Sequence, residues 1–143
     1  MARARSVSAA ALLLVILGGA AGVAARAALT VPFERDAHPL VVPAITLGIN
    51  ITGSFLLGLV VGWLGERHPR ARLFLGTGVL GGFTTYSSFA VQSVTTSSAT
   101  PAVGVGLIIV SVFGGVIAAA IGLRLAARRG AGGSAAPAPE EAE

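Results

Sequence analysis

The chain reads as an all-α integral membrane protein with four transmembrane helices, the third of them broken near its centre. Three observations predict this. First, 54% of the 143 residues are hydrophobic and 11% are charged, where a soluble domain carries about 25% charged residues; mean hydropathy is +0.84. Second, the apolar residues fall into four long runs rather than alternating stripes, each long enough to cross a bilayer as a helix. Third, one run holds the stretch Gly76 to Phe89, GTGVLGGFTTYSSF, rich in glycine and hydroxyl side chains that a simple spanning helix does not need. Such backbone at membrane depth is tolerated only when buried in protein or facing a polar cavity. A single membrane domain over residues 1–129 is expected, with spans near 7–29, 39–64, 73–94 and 102–126.

The first run follows a basic start, Arg3 and Arg5. A secretory signal peptide shares that pattern, but its cleavage would leave three spans, and Gly18, Gly19 and Gly22 fit helix packing better than processing. Arg26, near the end of the run, is either a snorkelling anchor or a functional charge. Residues 30–38 form a polar connection.

In the second run Asn50, Ser54, Gly58 and Gly62 recur every four residues and share one helical face, which Thr46 extends. The small residues permit close approach of another helix. A buried amide must face protein or a polar path, so for Asn50 helix-to-helix bonding and pore lining stand as equal readings. The loop at 65–72 contains His68, read as an interfacial residue because no metal-ligand set surrounds it.

The third run places Gly76, Gly78, Gly81 and Gly82 before Thr84 to Ser88. Hydroxyls that bond nearby carbonyls make an interrupted helix possible, and interrupted helices offer main-chain groups to ions. A continuous helix whose small residues merely pack is the plainer alternative. Tyr86 and Phe89 share a face if the local backbone is helical, and their ring edges carry partial positive charge. Residues 93–101 read as an uncharged connection. In the fourth run Ser111 and Gly115 share a face, and Arg124, Arg128 and Arg129 end it. Residues 130–143 have the composition of a disordered tail.

With four crossings, eight of the ten basic residues lie on the side of the termini and the 65–72 loop; only Arg26 and Arg35 lie opposite. The positive-inside rule then puts both termini in the cytoplasm. The absence of cysteine excludes disulfide and thiolate chemistry. A pI near 11.4 does not imply nucleic acid, because the arginines cap apolar runs and form no soluble phosphate-binding stripe. No nucleotide loop, carboxylate cluster or nucleophile with a base is present, so no enzyme is expected. No span carries an acidic residue in its interior, which argues against a small multidrug-type proton-coupled exporter. A non-transporting membrane scaffold would leave the buried Asn50 and the interrupted third run unexplained. Hydroxyls, an amide and aromatic edges suit passive conduction of a small anion, since they replace part of its water shell without trapping it.

Together these residues resemble the CrcB/Fluc family of fluoride channels. The matching landmarks are Gly18, Gly19, Gly22 and Arg26 in the first span and Asn50, Gly53, Phe55 and Gly58 within GINITGSFLLG in the second. GGFTTYSSF at 81–89 supplies the third, and Ser111, Gly115 and Gly122 the fourth. The resemblance implies an antiparallel, dual-topology-type dimer in the inner (plasma) membrane. Two narrow pores along its interface would pass fluoride and exclude chloride. It implies that Asn50, Tyr86, Phe89 and Ser111 contact the permeating anion, with Thr46 near the path and Arg26 near a pore mouth. It also implies that the third helix breaks near Gly81 to Thr84, where carbonyls of Gly81 and Thr84 from both subunits hold a structural sodium ion. Three features depart from the family pattern: Tyr86 replaces a phenylalanine, Gln92 stands where glutamate is frequent, and the arginine bias is strong for a chain that inserts both ways. The last raises an oppositely oriented homologous subunit as the partner.

Overall fold

A computed structural model describes residues 8–34, 38, 40–99 and 101–131, and all regular structure among them is helical. Helix α1 spans Ala9–Thr30, started by the Ser8 hydroxyl, which accepts from the Ala11 amide at 3.1 Å. Pro32 has no amide hydrogen, and the chain tightens into one 3₁₀ turn at Val31–Phe33. Helix α2 spans Val41–Leu64 and stops at Gly65, whose φ of 48° is a conformation glycine adopts without a side-chain penalty. Then come α3 (Pro69–Arg72), a π-helix (Leu73–Leu80), α4 (Gly81–Phe83), α5 (Tyr86–Ala99) and α6 (Pro101–Ala131).

Among the described residues three segments are long and apolar enough to cross a membrane: Ala9–Phe33, Val41–Leu64 and Pro101–Arg128. The third apolar run does not stand beside them as one helix. It is divided among α3, the π-helix, α4 and α5, so its pieces are individually short.

Glycine contacts set the relative directions. A Cβ on Gly18 would lie 2.5 Å from the Phe74 carbonyl, and one on Gly22 would strike Val79 and Phe83; residue numbers rise together, so α1 runs parallel to the π-helix. Gly58 meets Ala119 and Gly62 meets Ala126, so α2 runs parallel to α6. Gly53 faces Thr84 while Gly76 faces Leu57 and Val60, so α2 runs antiparallel to the third run. Four rods therefore alternate in direction. Their backbones touch because no side chain separates them.

The interior is thin. Ile49, Leu80, Phe89, Ala118 and Ala126 are its buried apolar residues, while Leu12, Ile16, Phe113 and Val116 point outward. Apolar side chains on the outside suit lipid as solvent.

Two sequence expectations need correction. The stretch 93–101 is not a connection: α5 continues to Ala99, and α6 starts at Pro101. Thr95 bonds its hydroxyl to the Gln92 carbonyl at 3.0 Å within the helix, and Pro101 sits at the first turn, where a missing amide hydrogen costs nothing. The last helix also runs on to Ala131, because Arg and Ala are good helix formers and cations favour a helix C-terminus. The rest of the expected tail, 132–143, lies outside the described residues.

Candidate functional site

The site is built where the third run stops being helical. Thr84 is extended, with φ −75° and ψ 155°. Its amide and its hydroxyl both donate to the Leu80 carbonyl, at 3.0 and 2.9 Å, which closes α4. Thr85 then opens α5: its hydroxyl oxygen accepts from the Ser88 amide at 3.2 Å, as an N-cap does. The same hydroxyl lies within 3.2 Å of Ser88 Oγ and 3.3 Å of Ser87 Oγ.

Asn50 holds this break from α2. Its Nδ2 donates to the Thr85 carbonyl at 3.0 Å, and its Oδ1 accepts from the Thr85 amide at 2.9 Å. The reverse amide orientation would set donor against donor, so the pairing fixes it. Gly53, one turn further along α2, leaves the space that the Thr84 methyl fills. The reading of Asn50 as a helix-to-helix bond is thus realised, with one Nδ2 hydrogen left over.

The break redirects two backbone donors. In an unbroken α-helix the Gly81 carbonyl accepts from the amide of residue 85, and the Thr84 carbonyl from that of residue 88. Here the Thr85 amide donates to Asn50 and the Ser88 amide to the Thr85 hydroxyl. All four carbonyls of residues 81–84 lose their helical donors, because no Tyr86 or Ser87 amide bonds back to Gly82 or Phe83; Gly81 and Thr84 are two of them. Their chemistry, neutral oxygens with lone pairs to spare, suits a hard cation. Among the described residues no cluster of three His, Cys, Asp or Glu offers a rival metal site.

Two cavities flank the Asn50–Thr85 pair, and Thr85 lines both. The first is an open groove of about 490 Å³ that gathers Asn50, Gly81, Thr84, Tyr86, Phe89 and Ser111. The second, of about 230 Å³, gathers Arg26, Thr30, Glu34, Thr46, Ser88 and Gln92. The sequence-based candidates therefore divide: Asn50, Tyr86, Phe89, Ser111, Gly81 and Thr84 meet in the groove, whereas Thr46 and Arg26 lie on the other side of the pair. Thr46 is 1% exposed.

Tyr86 and Phe89 border the same groove but differ sharply. Phe89 is 6% exposed and Tyr86 is 84% exposed. Tyr86 is the first residue of α5, so its ring stands off the end of the helix rather than against a neighbour. In the second cavity Arg26 forms no ion pair with Glu34; the one ion pair among the described residues is Arg72–Glu66, at 2.8 Å. Gln92 Oε1 and Ser93 Oγ are buried without partners.

Sequence reasoning did not single out Thr85 or Ser88. The available signal was a threonine followed three positions later by serine, directly after a glycine-rich stretch, which is a helix-start pattern. The π-helix left no signal that composition or periodicity could reveal.

The groove offers hydrogen-bond donors and no acidic side chain: an amide hydrogen from Asn50 and hydroxyls from Ser111 and Tyr86. These donors can serve an anion, while the freed carbonyls at the break, which line the same groove, can serve a cation.

Comparison with known proteins agrees in extent. A family model described as CrcB-like protein, Camphor Resistance (CrcB), matches residues 13–123. The chain is 44% identical over 121 residues to the fluoride-specific ion channel FluC of Hyphomonas neptunium, covering 81% of this chain and 94% of that one. It is 40% identical over 120 residues to the fluoride-specific ion channel FluC of Mesorhizobium japonicum, covering 80% and 94%. A shorter match, 49% over 88 residues, joins it to fluoride-specific ion channel FluC 2 of Leifsonia xyli and spans 57% of this chain and 59% of that relative. The matched segment reaches all four apolar runs and includes the break and both cavities, and on that extent of similarity the chain belongs to the CrcB-like family.

Proposed function

We propose that this chain is one subunit of a passive, fluoride-selective channel that lets fluoride leave the cytoplasm through two pores at the interface of an antiparallel dimer. The observation that carries the reading is the groove itself. It opens along the flank of the subunit, carries donors without acids, and presents Tyr86 with 84% of its surface free. A second copy laid across it would turn an open groove into a closed, narrow path. The relatives named as fluoride-specific channels support the same ion.

Within this reading the four rods cross the membrane in alternation. Asn50 offers its remaining amide hydrogen, Ser111 its hydroxyl, and Phe89 and Tyr86 their ring edges. Several modest donors in series suit an ion that must both shed water and leave again. Arg26 and Thr46 would serve the second cavity as an approach, where a positive charge raises the local anion concentration. The Gly81 and Thr84 carbonyls of two copies would hold one sodium ion, which would neutralise the oxygen dipoles left by the break.

The deciding experiment is fluoride efflux from vesicles loaded with fluoride or with chloride and containing the purified protein, with a partner subunit co-reconstituted if one is needed. The expected result is fast loss of fluoride and retention of chloride. Efflux of both anions at similar rates, or efflux that requires a proton gradient, would overturn the proposal.

A further inference from the structure

The far side of the α2–α6 seam carries a second feature, unrelated to the donor-lined groove. A cleft of about 420 Å³ is bounded by Phe55, Leu59 and Trp63 from α2 and by Leu125 and Ala126 from α6. The three α2 residues are four apart and form one stripe. The groove uses the opposite face of α2, through Ser54 and Leu57, and meets α6 about two turns earlier, at Ala119.

The cleft has a direction. Gly62 packs against Leu123 and Ala126, so Trp63 and Leu125 lie at the same level, near the end of α2. Arg128 follows Leu125 by three positions in the same helix and so lies on the same face, one turn further out. Arg67 is kept close to the same end by a turn in which its amide donates to the Leu64 carbonyl at 3.1 Å. The acid nearest in sequence, Glu66, is engaged by Arg72 at 2.8 Å. Two arginines without an ion-pair partner among the described residues thus follow within about a turn of the end of an apolar slot.

We infer that this cleft binds an anionic phospholipid, with an acyl chain along Phe55, Leu59 and Trp63 and the headgroup phosphate on Arg128 and Arg67. An apolar body with a negative end is the one shape of partner that matches both parts of the site. A zwitterionic lipid fills the slot equally well but gains less from the arginines, each worth about 1 kcal/mol toward an anionic surface. Trp63, which lines the cleft and is largely exposed, has the amphipathic character that favours the headgroup level.

The protein carries its own reporter. Trp63 is the one tryptophan in the chain and is 78% exposed. The protein is reconstituted in vesicles of fixed phosphatidylglycerol and phosphatidylcholine content, with brominated acyl chains on one lipid or the other, and Trp63 fluorescence is read. Quenching by brominated phosphatidylglycerol is expected to exceed that by brominated phosphatidylcholine after correction for mole fraction, and high salt should reduce the excess. Arg128→Gln should lower the preference about five-fold, with no change in helical content or elution volume. Equal quenching by the two lipids would make the cleft ordinary lipid contact, and quenching by neither would mean that protein covers it. Either outcome overturns the inference.

Discussion

Asn50 does two jobs, and separating them shows what the side chain is for. Both of its polar atoms are bonded to the Thr85 backbone, so removing it leaves an amide and a carbonyl at the break without their partner. Each such group costs about 1–3 kcal/mol when buried. Ser111 has no hydrogen bond of that kind and contributes only a donor to the groove. Asn50→Ala is therefore expected to lower both thermal stability in detergent and fluoride flux, the flux about ten-fold or more for each 1.4 kcal/mol added to the barrier. Ser111→Ala should lower flux and leave the melting midpoint in place. If Asn50→Ala melted like wild type, the clamp at Thr85 would carry no weight in the fold. At the neighbouring cap, Thr85→Val keeps the shape and the backbone pair with Asn50 but deletes the hydroxyl that accepts from Ser88. A loss of about 1 kcal/mol in denaturant unfolding is expected. Asn50 was legible from its sequence as a buried amide needing protein or a polar path. Thr85 was not, because its importance rests on main-chain atoms that every residue carries.

At the level of elements, the rods are held by backbone contact rather than by interlocking side chains. Glycines on α1 meet the π-helix and α4, Gly58 and Gly62 on α2 meet Ala119, Leu123 and Ala126 of α6, and Gly122 on α6 meets Phe55 and Leu59 of α2. A methyl group at Gly22 or Gly58 would press on the main chain of Val79 or Ala119, and backbone cannot step aside as a side chain can. Gly22→Ala and Gly58→Ala should each destabilise the protein by about 1–3 kcal/mol. Gly48 has nothing within 4 Å of the same position, so Gly48→Ala should be neutral or slightly stabilising through helix propensity. Unfolding in mixed micelles would compare the three, and equal behaviour would dismiss the close-contact account. The glycines at 18, 22, 58 and 62 could be read from spacing because one helical face repeats every three to four residues. The π-helix at Leu73–Leu80 could not. Its Gly76 rests on Leu57 and Val60 of α2 and its Gly78 on Val15 and Gly18 of α1, and no local residue demands the wider turn.

For the whole molecule, charge and geometry pull in different directions. The flank groove invites an antiparallel second copy, which requires chains inserted both ways. Yet eight of ten arginines fall in the sequence before α1, in the 65–72 loop and in the last turns of α6. By the positive-inside rule such a bias favours one orientation during insertion. The all-helical architecture with long apolar helices, and the break in the third run, were readable from long apolar runs and one anomalous stretch. Orientation and partner were readable only as a conflict, since they depend on a second chain. The conflict can be settled with labels, because the protein has no cysteine and any introduced thiol is unique. Val31 and Ala127 are exposed and lie at opposite ends of the rods. In cells expressing this chain alone, Val31→Cys should react with a membrane-impermeant maleimide and Ala127→Cys should react only after permeabilisation. A single orientation cannot pair with itself about an axis in the membrane plane. Fluoride flux would then require co-expression of an oppositely oriented homologue. Equal labelling of both thiols in intact cells would instead mean that the arginine bias is overridden and that the chain pairs with its own inverted copy.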